Sequence, residues 1–184
     1  MNFFIVIFCV IAGAYGEGQS PSTRNYSCPG VPPMPNMEVP MLNGTFYGCE
    51  ESATNFPDLS CTSLVLVPNG PNGWSSIFSG FSKKTGYLES YTAACTVNEE
   101  KHIKVTYNSL VETTFILNLW ILYTDYKSVV YWSCDPNDPE SIPKLWMLAK
   151  DHSQCSNYKE RFETLKQQLG LNITTKPVNQ NNCY

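Results

Sequence analysis

From Leu42 onward the chain is a series of short runs, rich in β-branched and aromatic residues, broken by Gly, Asn, Asp and Lys punctuation. CTSLVLVP (61–68) and WSSIFSGFS (74–82) flank NGPNG, which predicts a hairpin with a Gly/Asn turn. KKTG (83–86) turns the chain into YLESYTAACTV (87–97), and VNEE reverses it into HIKVTYN (102–108). TTFILNLWILY (113–123), YKSVVYWSC (126–134) and PKLWMLA (143–149) follow. With the run around Gly44–Ala53, this predicts eight strands over about 44–149. The texture then changes. SQCSNYKERFETLKQQLG (153–170) places Tyr158, Phe162, Leu165 and Leu169 on one helical stripe, which predicts a helix over about 154–169 ended by Gly170. A polar tail, 171–184, completes the chain. Eight antiparallel strands and then one amphipathic helix predict an all-β fold: an up-and-down barrel with the helix packed outside.

Alternation assigns the faces of that barrel. In HIKVTYN, Ile103, Val105 and Tyr107 share the inward face, with His102, Lys104 and Thr106 outward. In the next strand Phe115, Leu117, Leu119, Ile121 and Tyr123 are placed inward, and Trp120 on the outer wall. In YKSVVYWSC, Val129 and Tyr131 face inward if Cys134 points out. The interior is then aliphatic and aromatic, with tyrosine hydroxyls as its main polar features. Eight strands lie at the border between a barrel filled by side chains and one that holds a small ligand.

The N-terminal MNFFIVIFCVIAGAYG predicts a secretory signal peptide over 1–16, with a retained anchor as the other reading. A single domain over 17–184 follows it. Cys9 lies in that leader, leaving Cys28, Cys49, Cys61, Cys95, Cys134, Cys155 and Cys183. These are dispersed, with no C-x-x-C pair, so they read as disulfides rather than as a metal site. Their odd number leaves one thiol free, buried, or available to link a homodimer. Asn25, Asn43 and Asn172 sit in N-x-[ST] acceptors for glycosylation. The net charge of −4, without a basic stripe, argues against nucleic acid or an anionic membrane surface as partner. No later segment is apolar for long enough to insert in a membrane.

Three motifs in order carry a family resemblance: LNGTFY (42–47), Thr124-Asp125-Tyr126, and LWMLAKD (145–151), with CPGVP (28–32) ahead of them. The chain resembles the lipocalins, and within them the apolipoprotein D and bilin-binding protein branch common in arthropods. The resemblance implies a closed barrel end formed by Gly44, Phe46, Thr124, Asp125, Tyr126 and Lys150. Phe46 and Lys150 stand where the family usually has tryptophan and arginine, so a Phe–Lys cation–π contact replaces a stacked pair. The resemblance also implies the disulfides Cys28–Cys134 and Cys61–Cys183. Cys49, Cys95 and Cys155 fall outside the common pattern, and one further bridge among them is expected.

By this resemblance the protein is a secreted, extracellular carrier of a small hydrophobic ligand such as a bilin, retinoid, fatty acid, sterol or pheromone. Its binding surface is the inward set Ile103, Val105, Tyr107, Phe115, Leu117, Leu119, Ile121, Val129 and Tyr131. No cofactor is required, although a bilin would be a bound chromophore. The alternatives are an interaction or host-defence lipocalin that acts through its loops, or a haem-binding one. Haem needs an inward histidine, whereas alternation puts His102 outward and His152 lies beyond the last strand. An enzyme is not expected. No G-x-S-x-G, H-E-x-x-H or P-loop string occurs. The adjacent pairs Glu50–Glu51 and Glu99–Glu100 read as solvated charge.

Overall fold

Strand alternation closes a sheet on itself. The computed structural model describes residues 31–32, 34–52, 59–99, 102–108, 115–134 and 143–183, the side chains of 107–108 and 115–116 excepted. Its strands are β1 (Gly44–Glu51), β2 (Leu59–Pro68), β3 (Gly73–Ser82) and β4 (Leu88–Val97), then β5 (His102–Asn108), β6 (Phe115–Thr124), β7 (Ser128–Ser133) and β8 (Lys144–Ala149). Each pairs antiparallel with its sequence neighbour, and β1 also pairs with β8, which makes the barrel. Helix α1 (Cys155–Gln168) follows. The expected leader, Cys28 and Asn25 lie outside the described residues.

Two apolar layers form on the two sides of this wall. Phe46, Trp74, Ile103, Val105, Ile121, Val129 and Tyr131 belong to the inner cluster. Leu122, Val130, Trp132, Cys134, Leu145 and Met147 belong to an outer one, completed by Phe162 of α1. The helix buries Phe162 fully and ends where Gly170, at φ +63°, lets Leu171 N–H reach the Lys166 carbonyl at 2.8 Å. This is a glycine-terminated C-cap with a buried apolar residue, Leu171, just beyond it.

Two expectations are corrected. Tyr123 does not face inward: the register of β6 against β7 shifts between Ile121 and Tyr123, and this bulge carries Tyr123 to the outer wall. There it lies under Arg161 of α1, 5.0 Å from ring centroid to guanidinium, and its hydroxyl accepts from Arg161. Glu50 and Glu51 are not solvated. Both are buried, Glu50 paired with Lys159 of α1 at 3.1 Å and Glu51 with Lys176 at 3.5 Å. The polar tail contributes a short strand, β9 (Lys176–Pro177), along the end of β1.

That tail fills a gap in the ladder. β1 pairs with β2 from Gly44 to Tyr47, after which β2 departs through Cys61, whose φ is +55°. Gln180 then donates from Nε2 to the carbonyls of both Gly48 and Thr62, at 3.0 and 2.9 Å. Gly48 has to be glycine, because a Cβ there would collide with Thr62 Oγ1 and crowd Val178. Cys61 is bonded to Cys183, and Cys49 to Cys155 at the first turn of α1. Cys134 is also disulfide-bonded, to a partner outside the described residues.

One end of the barrel is shut. The 3-10 turn Val39–Met41 crosses it, burying Met37, Val39 and Leu42 against Phe46 and Trp74. Trp74 Nε1 donates to the Val39 carbonyl at 3.0 Å, and Glu38 N–H to the Tyr126 hydroxyl at 3.1 Å. Phe46 is fully buried with Lys150 Nζ 5.3 Å from its ring centre. Gly44, at φ +91°, faces the Lys150 side chain. In the β6–β7 turn, Asp125 Oδ1 accepts from Lys127 N–H, Ser128 N–H and Ser128 Oγ, while Thr124 Oγ1 donates to the Ser128 carbonyl. Burial pushes the Asp125 carboxyl up, but its hydrogen bonds from Ser128 and Lys127 outweigh that and hold it below 3.8.

Removing the plug should be costly. Phe46→Ala is expected to lose about 3–5 kcal/mol, or roughly 10 °C in Tm for a chain of this size, whereas Lys150→Met should cost about 1 kcal/mol or less; thermal scans check both. Asp125 gives a pH test. Its folded pKa is depressed, so its contribution is present at neutral pH and is lost as pH falls through the folded value. Denaturation of Asp125→Asn against wild type should show a deficit at pH 6–7 that shrinks and closes in acid below the ordinary carboxylate range.

Candidate functional site

Inward positions that the floor does not fill leave a lumen of about 70 Å³, within about 610 Å³ of empty space that includes the part open to solvent. β2 contributes Leu64 and Leu66, and β3 contributes Trp74, Ser76 and Phe78. The opposite wall is Ile103 and Val105 of β5, Leu117 and Leu119 of β6, Tyr131 of β7, and Trp146 and Leu148 of β8. Cys95 of β4 completes it. The predominance of aliphatic and aromatic walls is that of a small-molecule pocket.

The expected inward residues divide into groups. Ile103, Val105, Leu117, Leu119 and Tyr131 line the lumen. Ile121 and Val129 also face inward, but deeper in the barrel. Lying near the β6–β7 turn, 1 % and 0 % exposed, they pack in the floor with Phe46 and do not line the open space. Tyr107 and Phe115 are paired in the β5–β6 ladder, but their side chains lie outside the described residues. Neither histidine is in the lumen: His102 stacks on Trp120 at 4.7 Å, and His152 lies edge-on to Tyr47.

The alternation of β3 could have revealed Trp74, Ser76 and Phe78, since they share a parity with Gly80. The competing parity, Ser75, Ile77, Ser79 and Phe81, is almost as apolar, so the pattern alone does not choose between them. Composition left the odd cysteine unplaced. Among the described residues, Cys95 is the free one, and it is buried. Its Sγ is 3.4 Å from Ser76 Oγ, which also donates to the Ala93 carbonyl. Burial pushes the Cys95 thiol up, against a smaller opposing effect of Ser76, so it is a neutral, weak donor on an apolar wall. Buried on the lumen wall, the Cys95 thiol is not displayed on the protein surface.

At the other end of β4, Tyr91 donates its hydroxyl to Glu89 Oε2 at 2.8 Å. Burial, helped by this carboxylate, pushes the Tyr91 phenol up to about 12. It is a neutral donor at any physiological pH.

No family model matches the sequence, and no curated protein matches it significantly. Solved structures do. Insecticyanin from the tobacco hornworm Manduca sexta superposes with a TM-score of 0.72 at 19% identity, covering 85% of this chain and 89% of that one. Lobster apocrustacyanin A1 gives 0.66 at 17% identity, over 86% and 93%. The amine binding protein of Rhodnius prolixus, in its tryptamine complex, gives 0.63 at 16% identity, over 79% and 82%. These are arthropod lipocalins, and at such identities the likeness establishes the fold. The chain has the lipocalin fold.

The position of Cys95 has a measurable consequence. A thiol reagent such as Ellman's should find a single thiol per chain in denaturant and leave the native protein essentially unreacted over the same minutes. Fast reaction of the native protein would place the thiol outside the lumen.

Proposed function

We propose that this protein is a secreted carrier that holds a small hydrophobic ligand in its barrel lumen and performs no chemistry on it. One observation carries the reading: an apolar cavity, shut at one end by Phe46, Trp74 and the Val39–Met41 turn, with no charged side chain on its walls among the described residues. Apolar burial drives uptake into such a space, and a few polar atoms orient the guest. Trp74, Phe78 and Trp146 offer flat faces to a conjugated or cyclic ligand, so a chromophore such as a bilin belongs to the same reading. The amine bound by the Rhodnius relative supports a small organic cargo in general.

Export is supported by the leader-like residues 1–16 and by disulfides that span most of the chain, Cys49–Cys155 over 106 positions and Cys61–Cys183 over 122. Among the described residues no helix is long and apolar enough to cross a membrane. Asn43 and Asn172 are exposed, as glycan attachment needs.

The neutral probe N-phenyl-1-naphthylamine tests the lumen directly, since its fluorescence rises on transfer to an apolar site. Leu119→Trp should fill the space and weaken binding by about tenfold or more, with Tm changed by only a few degrees. Val67→Trp, on the exposed outer wall, should leave binding unchanged. Equal binding by wild type and Leu119→Trp would move the ligand out of the barrel.

A further inference from the structure

Lys144 opens β8, and it is only 8% exposed. Trp146 and Leu148 of the same strand line the lumen, while Leu145 and Met147 pack outside beneath α1. Alternation therefore turns Lys144 inward. Its partner in the β7 register is Ser133, 6% exposed and of the same parity as the lumen residue Tyr131. Both stand one inward step beyond Tyr131 and Trp146 toward the open end, about 7 Å farther along the strands.

This lysine has no counter-charge among the described residues. The two buried acids of β1, the strand beside β8, are committed elsewhere, Glu50 to Lys159 and Glu51 to Lys176. Glu89, on β4 across the barrel, takes the Tyr91 hydroxyl. Burial alone acts on the Lys144 ammonium and pushes its pKa down. The stem of Lys144 is buried while its ammonium is not sealed from water, and an anion placed beside it gains a charge-assisted hydrogen bond. The lumen below is apolar and uncharged.

We propose that Lys144 and Ser133 form the anchor for the carboxylate of a ligand whose apolar body fills the lumen, so that the favoured cargo is a small monocarboxylic amphiphile. The ammonium supplies a charge-assisted hydrogen bond and the serine hydroxyl a second donor, at the depth where the guest's polar end meets the mouth. The apolar remainder extends toward Ser76 and the floor. A cationic amine would meet like charge at the same point. The inference rests on the lumen reading above and narrows its ligand class.

The test uses the full mature chain and a matched pair, dodecanoate and 1-dodecanol, each displacing N-phenyl-1-naphthylamine. Wild type should bind the acid about tenfold more tightly than the alcohol, in line with a hydrogen bond to a charged group. Lys144→Met should bring that ratio to about one with dodecanol binding retained, and Lys144→Arg should restore the preference. Equal affinity of acid and alcohol in wild type, or a ratio unchanged in Lys144→Met, overturns the anchor and leaves the lumen reading standing. Failure of the probe and both compounds to bind overturns the lumen reading and the anchor together.

Discussion

Everything in this molecule depends on β1 being hydrogen-bonded along both edges. Through Gly44–Tyr47 it takes β2 on one side, and through Tyr47–Glu51 it takes β8 on the other. An open eight-stranded sheet would expose two ladders of unpaired backbone groups, whereas closure removes both edges. The same strand carries the attachments of every peripheral element. Cys49 and Glu50 bind the helix at positions four residues apart, Cys155 and Lys159, and Glu51 and Gly48 receive the tail. Barrel, helix and tail are therefore one cooperative body around a single strand.

Closure also divides the residues between two solvents. Inward side chains at the β1 start and at the β2–β3 and β6–β7 turns are packed solid, with Leu42, Phe46 and Val129 fully buried. Farther along the strands the same parity meets empty space, because eight strands enclose more room than these side chains occupy. The apolar outer cluster, by contrast, packs against Phe162, Tyr158 and Leu165 of α1 and against Leu171 beyond it. It stabilises the wall from outside, so the lumen need not be filled for the barrel to stand. A stable wall and an unfilled interior are compatible only because the two clusters are separate.

Much of this was legible in the chain, and the reasons for the exceptions are physical. HIKVTYN alternates strictly, so its inward residues could be read without ambiguity. β6 is apolar on both parities, and a one-residue bulge near Leu122 is invisible in such a run; Tyr123 was misplaced for that reason. Glu50 and Glu51 look like surface charge in isolation, because their lysine partners lie more than one hundred residues away in the helix and the tail. The third bridge could not be chosen from composition, since nothing local distinguishes Cys49, Cys95 and Cys155. Only the folded wall shows that Cys95 faces the lumen while the other two meet outside. The inward turn of Lys144 follows from alternation in a strand whose apolar residues, Leu145 to Leu148, occupy both faces.

The tail has a kinetic implication. Val178, Asn179, Gln180 and Cys183 supply bonds that β1 and β2 cannot make with each other. While a ribosome is still adding these residues, the nascent barrel keeps a seam between its first two strands. Folding of the earlier strands can begin during translation, but sealing must wait until Val178, Gln180 and Cys183 have emerged, and until then the protein is vulnerable along that seam to proteases and to stray strands.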